Sequence, residues 1–396
     1  MRLADRMGRL GTESAFEVLA RARALEAAGR KVIHLEIGEP DFDTPAHIVD
    51  AAVEALRSGQ THYVPAPGIP QLREAVAEFL GRKGRLECRA DQVVVMPGAK
   101  PVMFYTIMVL CQEGDEVVYP DPGFPMYESI TQFAGATPVP APLREENGFR
   151  MDPDELASLV TDRTRLVILN TPHNPCGSAM TREELERVAE VVRAHPDLVV
   201  LSDEVYWADR YDGPHTSILD IDGMAERTVL LDGWSKTFAM TGWRLGLGVF
   251  PPDLVEPVTR MVINSVSCTS AFSQHAALAA LTGPWEPVEE MVAEFRQRRD
   301  LVVEGLNSIP GVSCVMPDGA FYVFPSIREL GATSKEVEAH LLQHAGVACL
   351  SGTAFGQYGE GYLRLSYANS IQNLRDALEA MEASLPELQP AGQPTA

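Results

Sequence analysis

Thr228-Val229-Leu230-Leu231 is a short apolar run, and two residues later it passes into Gly233-Trp234-Ser235-Lys236-Thr237-Phe238-Ala239-Met240-Thr241-Gly242-Trp243-Arg244. The first piece reads as a buried strand and the second as the polar segment at its carboxyl end. Runs of the same kind recur at 92–96, 116–119, 165–169, 198–201 and 245–250, separated by longer helical patterns. That alternation predicts an α/β fold, with a mostly parallel sheet covered by helices on both faces. Ligands of such sheets collect at the carboxyl ends of the strands. A lysine at that position can hold an aldehyde as an imine, and an arginine eight residues on can grip an anion; the plainer alternative is a surface lysine beside buried tryptophans.

With 396 residues the chain predicts one large domain and a smaller one. We divide it into an N-terminal arm with part of the small domain (1–45), a large domain (46–285), a small C-terminal α+β domain (286–385) and a disordered tail (386–396). The small domain opens on a charged helix, 286–306, followed by strand-like pieces at 321–324 and 362–367. The segment 255–281 is helical in composition, and the tail is rich in Pro, Gly and Gln.

Thirty-three basic against 55 acidic residues give a net charge of −22. No basic stripe interrupts this balance, which argues against nucleic acid or an anionic membrane as partner. The cysteines at 88, 111, 176, 268, 314 and 349 lack metal-ligand spacing, so no metal site is expected. Their scatter suits a reducing cytoplasm. Residues 1–10 lack a secretory signature, and no run approaches the roughly 18–20 apolar residues of a membrane span.

The motifs follow the strands. After Val93-Val94-Val95-Met96 comes Pro97-Gly98-Ala99-Lys100, where a helix amino end offers free N–H groups to a phosphate; an ordinary helix start is the alternative. Phe124, on the stiff loop Pro120-Asp121-Pro122-Gly123-Phe124, either stacks on a planar ring or simply packs. In Asn170-Thr171-Pro172-His173-Asn174-Pro175, either amide can serve a ring oxygen, or the turn merely closes its strand. Ser202-Asp203-Glu204-Val205-Tyr206 sets acids at a buried strand end, which requires a cation: a protonated pyridine nitrogen or an arginine. Arg364, between apolar neighbours in Tyr362-Leu363-Arg364-Leu365, needs an anion, and its planar fork suits a carboxylate.

Taken with Ile37-Gly38-Glu39-Pro40-Asp41 and Tyr63-Val64-Pro65-Ala66-Pro67-Gly68, these motifs stand in the order found in class I aminotransferases of the pyridoxal-phosphate fold-type I group. Over residues 12 to 384 the chain resembles the bacterial aspartate-aminotransferase-like branch. The resemblance implies a large domain that binds pyridoxal 5′-phosphate. Lys236 would carry the cofactor as an imine and then move a proton between Cα and C4′. Asp203 would keep the pyridine nitrogen protonated, Asn174 and Tyr206 would bond the ring oxygen, and Phe124 would stack on the ring. Gly98, the Ala99 and Lys100 N–H groups, Ser235 and Arg244 would hold the phosphate, with Tyr63 reaching in from the other subunit of a homodimer. Arg364, Asn174 and the Gly38 backbone would clamp the substrate α-carboxylate.

The implied activity is transfer of an amino group between an amino acid and a 2-oxo acid, in two half-reactions through pyridoxamine phosphate, with glutamate or aspartate as donor. Elimination, cyclisation or oxidation of an amino acid on the same scaffold stays open, because carbanion formation is common to all of them. A non-enzymatic descendant of the fold would have to lose the cofactor. Two departures bear on the site. Gly233 stands where some relatives place a phosphate-binding serine, although the branch itself commonly shows glycine there. Glu17 falls at a position that reads the substrate side chain, where a carboxylate would repel a dicarboxylate by about 1 kcal/mol; a solvated helix face is the alternative for Glu13 and Glu17. Lys100, where the branch uses a lysine for the distal carboxylate, points the other way.

Overall fold

The computed structural model describes residues 1–388. Most of the expected tail lies outside them; its first residues belong to a short turn, Leu385–Glu387. The main sheet has seven strands: β1 (Val93–Met96), β2 (Glu116–Asp121), β3 (Thr137–Pro142), β4 (Thr164–Asn170), β5 (Val199–Asp203), β6 (Thr228–Gly233) and β7 (Gly246–Val249). Their spatial order is β1-β7-β6-β5-β4-β2-β3. β7 runs antiparallel to β1 and β6, and the remaining neighbours are parallel. The carboxyl ends of β1, β2, β4, β5 and β6 therefore meet along one edge.

Both faces of this sheet are buried, and residue alternation shows why. Val93, Val95, Val118, Val167, Val200 and Leu230 belong to one apolar cluster. Their chain neighbours Val94, Met96, Val117, Leu166, Leu201 and Val229 belong to the other. Side chains along a strand point alternately to its two faces, so continuous apolar runs are what a sheet covered on both sides demands.

β3 was not expected from the sequence. Its residues, Thr-Pro-Val-Pro-Ala-Pro, include three prolines, which cannot donate to a ladder. The strand survives because it is the outermost. Thr137 N donates to Asp115 O, and Leu143 N to Asp121 O. By alternation, positions 138, 140 and 142 turn their missing donors toward the open edge.

A second layer packs over the carboxyl ends. Strands Leu350–Ser351, Leu363–Ser366 and Tyr322–Val323 form an antiparallel sheet, and Ile33–His34 pairs in parallel with Val347–Ala348. The helices Glu286–Ser308 and Ile371–Ser384 complete this layer. Its core holds Phe295, Phe321, Leu363, Leu365 and Tyr367, with Phe295 and Phe321 stacked at 5.1 Å. The helical stretch 255–281 resolves into two helices, Pro252–Ser265 and Ala271–Thr282, interrupted where Ser267 takes φ +63°.

Beneath the sheet edge lies a buried ionic network. Arg85 donates to Asp232 at 2.5 Å and to Glu204 at 2.9 Å, and Glu204 also meets His215 at 2.8 Å. Burial alone would raise the Glu204 pKa, but His215 and Arg85 hold it down at about 2. The Arg85 guanidinium lies 4.2 Å from the centre of the Trp207 ring. Removing one partner of such a network strands the others. Arg85→Met is expected to lower the unfolding free energy by about 3–5 kcal/mol, read from chemical denaturation, because Glu204 and Asp232 lose their shared cation.

Candidate active site

Where the two layers meet, a cavity of about 850 Å³ opens at the strand ends. Lys236, Asp203, Asn174, Tyr206, Phe124, Ala99, Lys100, Ser235, Arg244, Gly38 and Arg364 all line it. These positions span more than 320 residues of chain and are joined only by the fold.

One end of the cavity is built for an anion. β1 ends at Met96, Gly98 turns the chain with φ +94°, and the helix Lys100–Leu110 begins. The unbonded N–H groups of that first turn carry the positive end of the helix dipole. Arg244 sits opposite. A Cβ on Gly98 would lie 2.2 Å from its Nη2, and one on Gly246 would lie 2.4 Å from Ala99 N, so only glycines allow this approach. Arg244 itself takes φ +56°, which costs a non-glycine residue about 1–2 kcal/mol, and its guanidinium donates to Thr241 O at 2.9 Å. Among the described residues no carboxylate pairs with it. Gly233 is similarly tight: a Cβ there would meet Leu245 O at 3.1 Å.

The middle of the cavity presents a carboxylate. Side-chain alternation at the end of β5 sends its two acids to opposite sides. Ser202 Oγ donates to Glu204 at 2.7 Å within the Arg85 network, while Asp203 turns to the cavity and accepts from the Tyr127 hydroxyl at 2.7 Å. The arginine allowed for in the sequence thus belongs to Glu204, and Asp203 has no cationic partner among the described residues. Burial pushes the Asp203 pKa up to about 6, against the Tyr127 hydrogen bond that favours its charged form.

The two asparagines also separate. Asn170 spends its amide on Asp203 O and Pro172 O, and its Oδ1 accepts from Asn174 N at 2.8 Å. Asn174 is left to face the cavity, its Oδ1 3.4 Å from Arg364 Nη1.

Lys236 crosses from the lower layer to the upper, donating from Nζ to Gly38 O at 2.5 Å. Removal from water lowers its pKa to about 8; Glu39 opposes that shift and Arg364 adds to it. Tyr206 and Tyr322 share a hydroxyl hydrogen bond of 2.8 Å behind it. Arg364 is 5% exposed, donates to Glu36 O, and lies 4.6 Å from the Tyr322 ring centre and 5.0 Å from that of Phe355. Its Nε is buried without a partner, and no carboxylate side chain pairs with it among the described residues.

Two expected residues lie elsewhere. Glu17 is exposed and outside the cavity wall, which corrects its assignment to the substrate side chain. Phe16, Leu19, Arg23 and Glu26 follow the three-and-four spacing of one helical face toward the cavity, and Glu17 lies a third of a turn away. Glu13 lines the cavity instead, ion-paired with Lys100. Tyr63 is 90% exposed and does not reach the cavity of its own chain.

Three residues were missed by sequence reasoning. Tyr127 lies three residues beyond Phe124, in the first turn of the helix Met126–Ala134, and holds Asp203. Tyr322 sat within a strand-like run without further signal. Asp209 is fully buried with both oxygens unpartnered, and burial pushes its pKa to about 7 against the pull of Lys236.

The donor set fits one kind of ligand: an anionic group at Gly98 and Arg244, a cationic ring atom at Asp203, a carbonyl carbon within reach of Lys236, and a carboxylate at Arg364. Residues 30–381 match the family model described as aminotransferase class I and II. The chain is 45% identical to an aspartate aminotransferase of Pyrococcus abyssi over 91% of this chain and 94% of that protein. It is 42% identical to aromatic-amino-acid aminotransferase 2 of Thermococcus litoralis, over 98% of this chain and 99% of the relative. The solved aspartate aminotransferase from Rhizobium meliloti superposes with a TM-score of 0.94 at 36% identity, covering 98% of this chain and all of that one.

Gly98→Ala is expected to weaken uptake of pyridoxal 5′-phosphate roughly tenfold or more, because the new methyl displaces Arg244; an absorbance titration of apo-protein reads this directly. A lysine with its pKa lowered to about 8 is neutral on the order of a hundredfold more often at neutral pH than an ordinary one. The rate of cofactor uptake by apo-protein should therefore rise with pH and level off above about 8.

Proposed function

The chain belongs to the class I and II aminotransferases and is a pyridoxal-phosphate-dependent amino acid aminotransferase of fold type I; from that premise we propose how its own residues divide the work. The observation that carries the proposal is the convergence on one cavity of three groups that lack a countercharge among the described residues: Arg244, Asp203 and Arg364. Each matches one charge of a cofactor–substrate pair.

Gly98, the N–H groups of Ala99 and Lys100, Ser235 and Arg244 hold the phosphate. Asp203, oriented by Tyr127, faces the ring nitrogen, and a cation there returns its carboxyl to the charged form that burial opposes. Pyridoxal 5′-phosphate, when bound, supplies an electron sink for the pair released at the substrate Cα. Phe124 covers one side of the ring, while Asn174 and Tyr206 bond its oxygen. Arg364 and Asn174 fix the substrate carboxylate, which sets the Cα proton before Lys236. With its lowered pKa, Lys236 takes that proton as a neutral amine and returns it as an ammonium.

The substrates are an amino acid and a 2-oxo acid, with glutamate or aspartate among the donors. Tyr63 serves the cavity of a second copy, making the working unit a homodimer; its near-complete exposure and distance from its own cavity support this. Six unpaired cysteines support a cytoplasmic location.

Single amino acids mixed with holoenzyme and no acceptor should convert the cofactor stoichiometrically, and a 2-oxo acid should restore it. Release of ammonia without need of an acceptor would overturn transamination. Lys236→Ala is expected to abolish turnover while retaining cofactor, whereas Arg364→Lys should lower kcat/KM for every donor by roughly a hundredfold, since an ammonium cannot reproduce the planar two-pronged contact.

A further inference from the structure

The cavity that Arg364 lines also holds a charged pair of side chains that the chemistry above does not use. Lys100 projects from the first turn of its helix, its Nζ 5.2 Å from the centre of the Phe124 ring, and pairs with Glu13. The cavity lining also includes the apolar residues Ala15, Phe16, Leu19 and Ile37. An ammonium on such a wall needs an anion. Glu13 supplies one from a segment, 10–13, that forms neither helix nor strand and is tethered by Gly11 N to Ser129 Oγ at 2.8 Å. Glu13, Tyr322 and Arg364 all line the same cavity.

We propose that Glu13 is a built-in stand-in for the distal carboxylate of a dicarboxylic substrate. It holds Lys100 while a neutral side chain occupies the cavity, and it yields Lys100 when an acidic side chain enters. One cavity then accepts both neutral, bulky amino acids and acidic amino or 2-oxo acids. The inference rests on the aminotransferase reading and names the side-chain classes that the same site takes.

Two physical features make the exchange workable. The Lys100 side chain is 50% exposed and that of Glu13 21%, so the pair is solvated enough to cost only a few-fold in affinity to break. The exchange also replaces one carboxylate by another, leaving no unpaired ammonium at either end. A neutral side chain finds Lys100 already neutralised and meets Phe16, Leu19 and Ile37.

The test compares wild-type holoenzyme with Glu13→Gln, Lys100→Met and the double variant, using aspartate and phenylalanine as donors. Glu13→Gln should raise the aspartate-to-phenylalanine ratio of kcat/KM about five- to tenfold, with phenylalanine itself falling about threefold. In the Lys100→Met background the same substitution should leave that ratio within about twofold, because the two act as a unit. Binding of maleate to holoenzyme, read in the cofactor absorbance, needs no turnover and should tighten about fivefold in Glu13→Gln. An unchanged ratio together with unchanged maleate affinity overturns the inference. Tighter maleate binding in an enzyme that transfers no amino group would leave the inference standing and overturn the aminotransferase reading alone.

Discussion

Charge held out of water without a countercharge is the constraint around which this molecule is organised. Desolvating a carboxylate or guanidinium costs several kcal/mol unless a partner compensates, and most of the chain's buried charges obey that rule. Glu204, Asp232 and Arg85 neutralise one another, with His215 and two serines completing the network. Asp203, one residue from Glu204, does not. Its carboxylate accepts from the Tyr127 hydroxyl and the Val205 N–H, and Arg364 donates to a backbone carbonyl and an asparagine oxygen; among the described residues neither has a countercharge. Both face one cavity, which leaves each open to a ligand of opposite charge there.

The same constraint explains the architecture. Asp203 ends a strand of the main sheet and Lys236 stands in the short helix Trp234–Thr237 that follows β6, while Arg364 belongs to the smaller sheet above. The layers are joined through the site itself. Lys236 reaches Gly38 O, Thr44 Oγ donates to Ala239 O at 2.6 Å, Trp243 Nε1 donates to Thr44 at 3.0 Å, and Arg298 pairs with Asp41 at 2.6 Å. Gly38 has no room for a side chain, since a Cβ would lie 2.1 Å from the Tyr322 hydroxyl. Packing of this kind sets the distances between charges more closely than any one loop could.

Within the cavity, what is shared and what is selective lie at different places. In the proposed reading, the floor and Arg364 meet groups that every amino acid substrate has. The wall formed by the N-terminal helix and Lys100 is then the part proposed to meet the side chain, which is where substrates differ. The proposed exchange at the Lys100–Glu13 salt bridge would let one surface change character without a change of fold, because trading one carboxylate for another is cheap where both are partly solvated.

Much of this was legible in the chain. Continuous apolar runs alternating with helical patterns determined a buried, mostly parallel sheet, because a strand covered on both faces needs apolar residues at every position. The polar motifs after those runs determined the donor set at the strand ends. Prolines hid β3, since only an edge position makes them tolerable and an edge is a property of the assembled sheet. The choice between Asp203 and Glu204, between Asn170 and Asn174, and between Glu13 and Glu17 was likewise left to tertiary structure. In each pair the residue types are alike and the sequence distance is small; what separates them is the direction of a side chain relative to a partner from far along the chain. Local chemistry could say which groups were present, and only packing could say which of them went without a countercharge.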